Sequence, residues 1–331
     1  MTELSLFSSI EYKMYTQYYY FIIHIILVLC AIIPFVSTFK CRLYGLDQSS
    51  LQTKLIQINN SSSYNLVLNL GRSTFSSKAI STKIGNQNYV STYRTFDSLG
   101  VPHYFLLIID IYLKSIKLNV TLNEKYGSGS FWQLAAINDD DIIGIRESLR
   151  PGSTLEVAKI NLTNGSMKTI GTYPYGSYSL VMTYASKRRL YYNVIDPKLY
   201  AVNVDTGNLD VNIQIPSGYL IYALEYDSIN DRLIALVYSS SETNGWILTQ
   251  MIITEKQEIK FERIGTTVIP FEKYIWTTTY TINSNEHSWM TIWSDKNSND
   301  SIFISLNIDN GEIIEKWEIN SKGFGNLVCF D

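Results

Sequence analysis

Histidine is the scarcest chemically useful residue in this chain, with only His24, His103 and His287 among 331 residues. Cysteine is equally rare, at Cys30, Cys41 and Cys329. There is no His-Glu-X-X-His, no Cys-X-X-Cys, no Gly-X-Ser-X-Gly and no phosphate-binding glycine loop. The motifs that announce zinc hydrolysis, dithiol redox chemistry, serine hydrolysis and nucleotide binding are therefore missing. A net charge of −3 leaves no basic footprint, which excludes nucleic acid as an expected partner. Seven prolines and no long low-complexity run exclude extensive disorder. No cofactor and no metal is expected.

What is present is a globular composition, 46% hydrophobic and 17% charged, with 25 tyrosines and frequent Ile, Asn, Ser and Thr. β-Branched and aromatic residues suit strands, and Asn and Ser suit the turns between them. The N-terminus differs from the rest. Residues 1–17 form a short leading segment, and "YYYFIIHIILVLCAIIPFVSTF", Tyr18–Phe39, carries no formal charge. That length suits a cleaved signal peptide or a retained signal-anchor helix, with a buried core helix as the third possibility. Pro34, Ser37 and Thr38 resemble a cleavage region, although Phe35 or Val36 fits its −3 position poorly. Initiation at Met14 would shorten the leading segment. Lys40 and Arg42 follow the apolar run, whereas only Lys13 precedes it closely, and by the positive-inside rule this keeps the C-terminal side cytosolic. Asn-X-Ser/Thr triplets at Asn59, Asn60, Asn119, Asn161, Asn164 and Asn299, all beyond that run, point instead to lumenal exposure. The combined expectation is the secretory pathway, as a single-pass membrane protein or a secreted one, with residues 40–331 as the folded domain.

That domain repeats. The turn after the third strand of each unit falls at Asn60-Ser61, Lys114-Ser115, Asn164-Gly165, Thr206-Gly207, Lys256-Gln257 and Asn310-Gly311, at intervals of 54, 50, 42, 50 and 54 residues. "AKINLTNGSMKTI", "YAVNVDTGNLDVNI" and "ISLNIDNGEIIEKW" each set alternating apolar residues before an Asn/Asp turn with Gly. Such turns tolerate positive φ at Gly and favour hairpins. Upstream, "YASKRRLYY" matches "YDSINDRLIAL", with Tyr184 and Tyr226 in register. Four strands per unit follow, for example Phe131–Asn138, Ile142–Glu147, Leu155–Leu162 and Met167–Tyr173 in the third. The first unit has only three at the N-terminus, and "GNLVCFD", Gly325–Asp331, supplies a fourth from the other chain end.

In repeat form, residues 39–331 resemble the broad β-propeller superfamily, without a Trp-Asp blade motif, a Ser-X-Asp-X-Gly-X-Thr-Trp box or a kelch Gly-Gly doublet. The expected fold is all-β, a six-bladed propeller closed by its C-terminal strand and preceded by an N-terminal hydrophobic helix. A pair of β-sandwiches is the rival that strand spacing allows. Closure would make the strands of Cys41 and Cys329 neighbours, and a disulfide between these two is expected, against two buried thiols.

A propeller enzyme needs acids, bases or metal ligands converging on its channel, and the sequence shows none plainly. His103 reads as a turn-to-strand junction. "NDDD", Asn138–Asp141, could offer oxygens to Ca²⁺ but reads better as a hairpin turn, and "SDKNSND", Ser294–Asp300, as a blade loop. Trp132, Trp246, Trp276, Trp289, Trp293 and Trp317 suit packing between blades, while Tyr173, Tyr175, Tyr178 and Tyr219 could rim a ligand face. The leading functional expectation is a secretory-pathway or cell-surface glycoprotein acting as a non-catalytic recognition module for a protein or carbohydrate ligand, and meeting a membrane if the N-terminal helix is retained. The alternative is a propeller-scaffold hydrolase or lyase with its active site at the central channel.

Overall fold

In the computed structural model the described residues are 41–48, 53–58, 64–71, 74–75, 81–99, 101–122, 131–147, 154–174, 181–241, 245–270, 274–275, 280–295, 300–319 and 324–330. The segment 1–17 and the expected helix at 18–39 lie outside them. No helix among the described residues is long and apolar enough to cross a membrane.

The chain writes strands throughout. Blade 1 opens with β1 (Arg42–Asp47), β2 (Lys54–Ile58) and β3 (Tyr64–Asn69); blade 2 contains β4 (Thr74–Phe75), β5 (Thr82–Ile84), β6 (Asn88–Phe96), β7 (Pro102–Asp110) and β8 (Ser115–Thr121). Blade 3 contains β9 (Phe131–Ala136), β10 (Asp141–Glu147), β11 (Thr154–Asn161) and β12 (Met167–Pro174). Blade 4 contains β13 (Val181–Ala185), β14 (Leu190–Ile195), β15 (Lys198–Asn203) and β16 (Leu209–Gln214). Blade 5 contains β17 (Tyr219–Asp227), β18 (Arg232–Ser239), β19 (Gly245–Ile253), β20 (Ile259–Arg263) and β21 (Ile269–Pro270). Blade 6 contains β22 (Tyr274–Ile275), β23 (Tyr280–Asn283), β24 (Ser288–Asp295), β25 (Ser301–Asn307) and β26 (Ile313–Ile319), and the last strand is β27 (Phe324–Phe330).

These strands form six antiparallel sheets, and the fold is an all-β six-bladed propeller. β27 pairs with β1, through Arg42↔Phe330, Leu43↔Cys329 and Tyr44↔Val328, and the sheet order is β27-β1-β2-β3. Three sheets depart from the expected four strands. β4 and β5 both lie on β6, and β22 and β23 both lie on β24, so the inner strands of blades 2 and 6 are interrupted. In blade 5, β20 covers only Thr249–Ile253 of β19, and β21 takes the edge left at Gly245 and Trp246.

Packing explains why the middle strands read as nearly continuous apolar runs. On β10, Ile142 faces a core shared with Val90 and Ile108 of blade 2, whereas Ile143 and Ile145 face one shared with Tyr191 and Val202 of blade 4. On β18, Leu233, Ala235 and Val237 face blade 4, and Ile234 and Leu236 face blade 6. A strand buried on both faces has no polar side to show. Trp246 and Trp293 meet between blades 5 and 6 with ring centroids 4.6 Å apart, which places both in packing. The outer strand β16 alternates exposed and buried residues because one face meets solvent.

The turns after the third strands carry the repeat's geometry. Asn161, Asn203 and Asn307 each accept two backbone N–H groups through Oδ1, and Gly165, Gly207 and Gly311 close the turns at φ of 68°, 77° and 72°. Lys114 and Gln257 hold the equivalent left-handed position at 51° and 59° without being glycine.

One charged pair is sealed inside blade 3. Arg146 Nε and Nη2 donate to Glu156 Oε2 at 3.1 and 2.7 Å, and the two residues are 5% and 4% exposed. Thr169 Oγ1 donates to the same carboxylate oxygen at 3.2 Å. Breaking such a pair strands a charge away from water, which costs about 3–5 kcal/mol. Glu156→Ala should therefore lower the unfolding free energy by that amount in urea titration, with m unchanged.

Candidate functional site

The inner strands of all six blades contribute to one central cavity of about 350 Å³. Its walls include Lys83 of β5, Gln133 of β9, Thr183 of β13, Glu225 of β17, Tyr280 of β23 and Cys329 of β27. Ser186 and Ser228 carry the wall into the turns that follow β13 and β17, which places the mouth where these inner strands turn into the second strands. The turns between third and fourth strands lie on the same face, because Asn88 at the start of β6 pairs with Asp110 at the end of β7.

Glu225 is the only carboxylate lining this cavity among the described residues. Thr183 Oγ1 donates to its Oε2 at 3.3 Å. Protein surrounds the carboxyl and strips its solvation, which pushes its pKa from 4.5 up to about 8; bonds from Thr183 and the Tyr226 N–H only partly offset this. The residue keeps some solvent contact and lines the channel. Tyr280 is buried, and Gln133 Nε2 donates to its hydroxyl at 3.3 Å. Burial first, and the Glu225 charge second, hold its phenol protonated far above neutrality. Tyr191 Oη donates to the Gln133 carbonyl at 3.0 Å, anchoring the strand that carries Gln133. The result is a carboxyl that titrates near neutrality beside a phenol that does not ionise, a pairing suited to moving a proton while donating a hydrogen bond.

The sign of the Glu225 shift gives a stability prediction. The folded state holds a proton that the unfolded chain has already lost above pH 4.5, so Glu225 favours folding at low pH. That contribution falls as pH rises from 4.5 to about 8, with a slope of at most about 1.4 kcal/mol per pH unit. Glu225→Gln should flatten this part of the stability–pH curve, measured by denaturant titration at a series of pH values.

Glu225 was not among the residues singled out from the sequence, although the repeat held a signal for it. Asp227 and Asn283 each cap the turn after an inner strand, as does Asn138. Counting back two residues from these caps gives Glu225, Thr281 and Ala136, all on the cavity wall. Thr183 stands at the same level, 42 residues before Glu225, which is the spacing of Tyr184 and Tyr226. Of these four positions, only Glu225 can ionise.

The residues that were singled out lie elsewhere. His103 is half exposed on β7, with Nε2 3.3 Å from Asp97 Oδ2, and His287 Nδ1 is 2.6 Å from Asp309 Oδ2 in a turn. Asn138 caps a hairpin turn and Asp141 pairs with Lys159 at 2.8 Å, and no group of metal-ligating side chains occurs among the described residues. Tyr173 is buried rather than at a rim, and Tyr219 stacks on Phe261 with centroids 4.8 Å apart. Asn119 and Asn164 are exposed, whereas the Asn161 side chain is half buried and committed to its turn. Cys41 and Cys329 are joined by a disulfide, with Cα atoms 5.6 Å apart. His24, Cys30, Asn59, Asn60, Tyr175, Tyr178, Trp276 and Asn299 lie outside the described residues.

No family model matches this sequence, and no curated protein does. Solved structures do match its fold. TolB from Acinetobacter baumannii superposes with a TM-score of 0.60 at 8% identity, over 88% of this chain and 67% of that one. A protein described as a candidate 6-phosphogluconolactonase from Bacteroides fragilis gives 0.53 at 10% identity, over 89% and 99%. The periplasmic gluconolactonase of Pseudomonas aeruginosa gives 0.50 at 8%, over 88% and 99%. At these identities the likeness establishes the propeller fold alone. The expectation of a glycoprotein acting as a non-catalytic recognition module is corrected at this point. The propellers that share the fold are described as lactonases and as TolB, and the channel holds an ionisable centre that the sequence reading had not located.

Proposed function

We propose that this chain is a propeller-scaffold hydrolase whose active site is the central channel, with Glu225 as its general base. The observation that carries the reading is convergence: all six inner strands bring one carboxyl, a buried phenol, an amide and an amine to a single cavity. In hydrolysis of an ester, ionised Glu225 takes a proton from water as the water oxygen attacks the carbonyl carbon. The Tyr280 hydroxyl donates to the oxygen that gains charge. The C–O bond then breaks, and the proton held by Glu225 passes to the departing alkoxide. Nothing in this sequence of steps requires a metal or a cofactor.

The cyclic esters named for the lactonase propellers are the first substrate class to try, because a compact ring suits a cavity of about 350 Å³. Purified protein should hydrolyse members of a panel of sugar lactones and short acyl esters, followed by acid release at constant pH. A panel on which it acts no faster than Glu225→Gln would count against the reading.

Two structural readings accompany this one. The pairing of β27 with β1 seals the ring, so that residues 40–331 behave as one cooperative domain. Residues 18–39 carry the chain into an extracytoplasmic compartment, a reading supported by their apolar character and by the disulfide.

A further inference from the structure

The turn after the third strand is polar in blades 3, 4 and 6, where Thr163-Asn164, Asp205-Thr206 and Asp309-Asn310 occupy its two central positions. Blade 2 keeps the same backbone: Asp110 Oδ1 accepts the N–H groups of Tyr112 and Leu113 at 3.0 and 2.8 Å, and Lys114 takes the left-handed position. Its central residues are nevertheless Tyr112 and Leu113, which are 53% and 75% exposed, and Ile116 just beyond is 49% exposed. Large apolar side chains at a tip whose geometry needs only small polar ones serve something outside the turn.

The surroundings identify what that is. Tyr112 Oη accepts a hydrogen bond from Arg42, whose guanidinium also lies over the Tyr112 ring at 4.7 Å. Arg42 begins β1, and the uncharged run Tyr18–Phe39 ends three residues before it. Cys41 is bonded to Cys329, which lines the channel. Arg42 meets the turn that also carries Lys114, Lys117 follows in β8, and residues 111–119 contain no acid. Aromatic, aliphatic and basic side chains gathered at one place, on a chain that also carries a bilayer-length apolar run, match the chemistry of a membrane–water interface, where cations meet anionic headgroups.

We propose that the propeller meets a phospholipid bilayer at the blade 2 edge of the channel-mouth face, with Tyr112, Leu113 and Ile116 in the bilayer's interface and the acidic turns of Asp205, Asp231 and Asp309 held away from it. The inference rests on retention of residues 18–39 and not on hydrolysis. If the channel does hydrolyse esters, the orientation makes amphiphilic esters of the membrane surface its accessible substrates.

Leu99 supplies the internal control. It is 86% exposed in the same blade but sits between β6 and β7, on the opposite face. The full-length chain, in a Cys30→Ser background, would be reconstituted into phosphatidylcholine/phosphatidylserine vesicles containing a nitroxide-headgroup lipid. A fluorophore would be attached through Leu113→Cys, through Ile116→Cys or through Leu99→Cys. All three side chains are exposed, so labelling leaves the core intact, and two reporters on one face guard against failure of either variant. Quenching at 113 and 116 should exceed that at 99 by at least about threefold. Equal or reversed quenching overturns the proposal, as does release of the chain from the vesicles by carbonate. Self-association through residue 113 without lipid quenching would show that a second copy covers the patch, and would overturn it too.

Discussion

Deleting Gly325–Asp331 should abolish cooperative folding of the domain. The deletion removes Leu327, Val328, Cys329 and Phe330, which are 1%, 4%, 3% and 0% exposed. Burying a large apolar side chain contributes about 1.5–3 kcal/mol, so the strand's apolar residues alone approach the 5–15 kcal/mol that typically holds a domain together. The loss also strips β1 of its inner partner and leaves an open, hydrophobic strand edge that invites aggregation. The disulfide adds to this: cross-linking across a separation of 288 residues carries a nominal unfolded-state stabilisation of about 5 kcal/mol. The two contributions separate experimentally. Cys41→Ser with Cys329→Ser keeps the strand, and should fold with a Tm lower by about 10 °C. The deletion should give insoluble protein, or a circular-dichroism melt without a cooperative transition. A truncated chain that melts sharply near the Tm of the intact protein would mean that β27 does not seal the ring.

The architecture was legible because its constraints are local and repeated. Gly165, Gly207 and Gly311 sit where the backbone needs positive φ, and the Asn four residues earlier offers the side-chain oxygen that the turn requires. Lys114 and Gln257 occupy the same conformation without the glycine signal, and only the spacing between units located them. The interruptions of the inner strands in blades 2 and 6 were not legible, because they concern which residues of a long linker touch β6 and β24, and no residue type marks that choice. Glu225 was hidden for a different reason. In "LEYDSIN" it reads as one more polar residue on an alternating strand. Its meaning depends on Thr183, Gln133 and Tyr280 from other blades, which only the assembled ring brings to the same cavity. Function failed where fold succeeded because a propeller repeat dictates where a residue stands around the axis, while the chemistry is set by the one unit that departs from the others.

Glu225→Gln should lower kcat/KM for lactone or ester hydrolysis by about 10²–10⁴-fold, the usual contribution of a positioned general base. Gln keeps the shape and can still accept from Thr183, so the fold and cavity should survive, and removal of an ionisable group from a desolvated site should leave the protein at least as stable above pH 8. The pH dependence separates a base from a merely polar wall residue. Only ionised Glu225 can take the proton, so activity should rise with pH as the carboxyl titrates and level off above its pKa of about 8. Thr183→Val removes the one side-chain hydrogen bond that favours the ionised form, and should move the same limb to higher pH without abolishing the rate. The most direct measurement is therefore the pH profile of kcat/KM for the intact chain beside Glu225→Gln, on the best substrate of the lactone and ester panel. The account predicts a rising limb with an apparent pKa near 8 that vanishes, together with at least about 99% of the activity, in the variant. Equal rates and an unchanged limb in Glu225→Gln would contradict it.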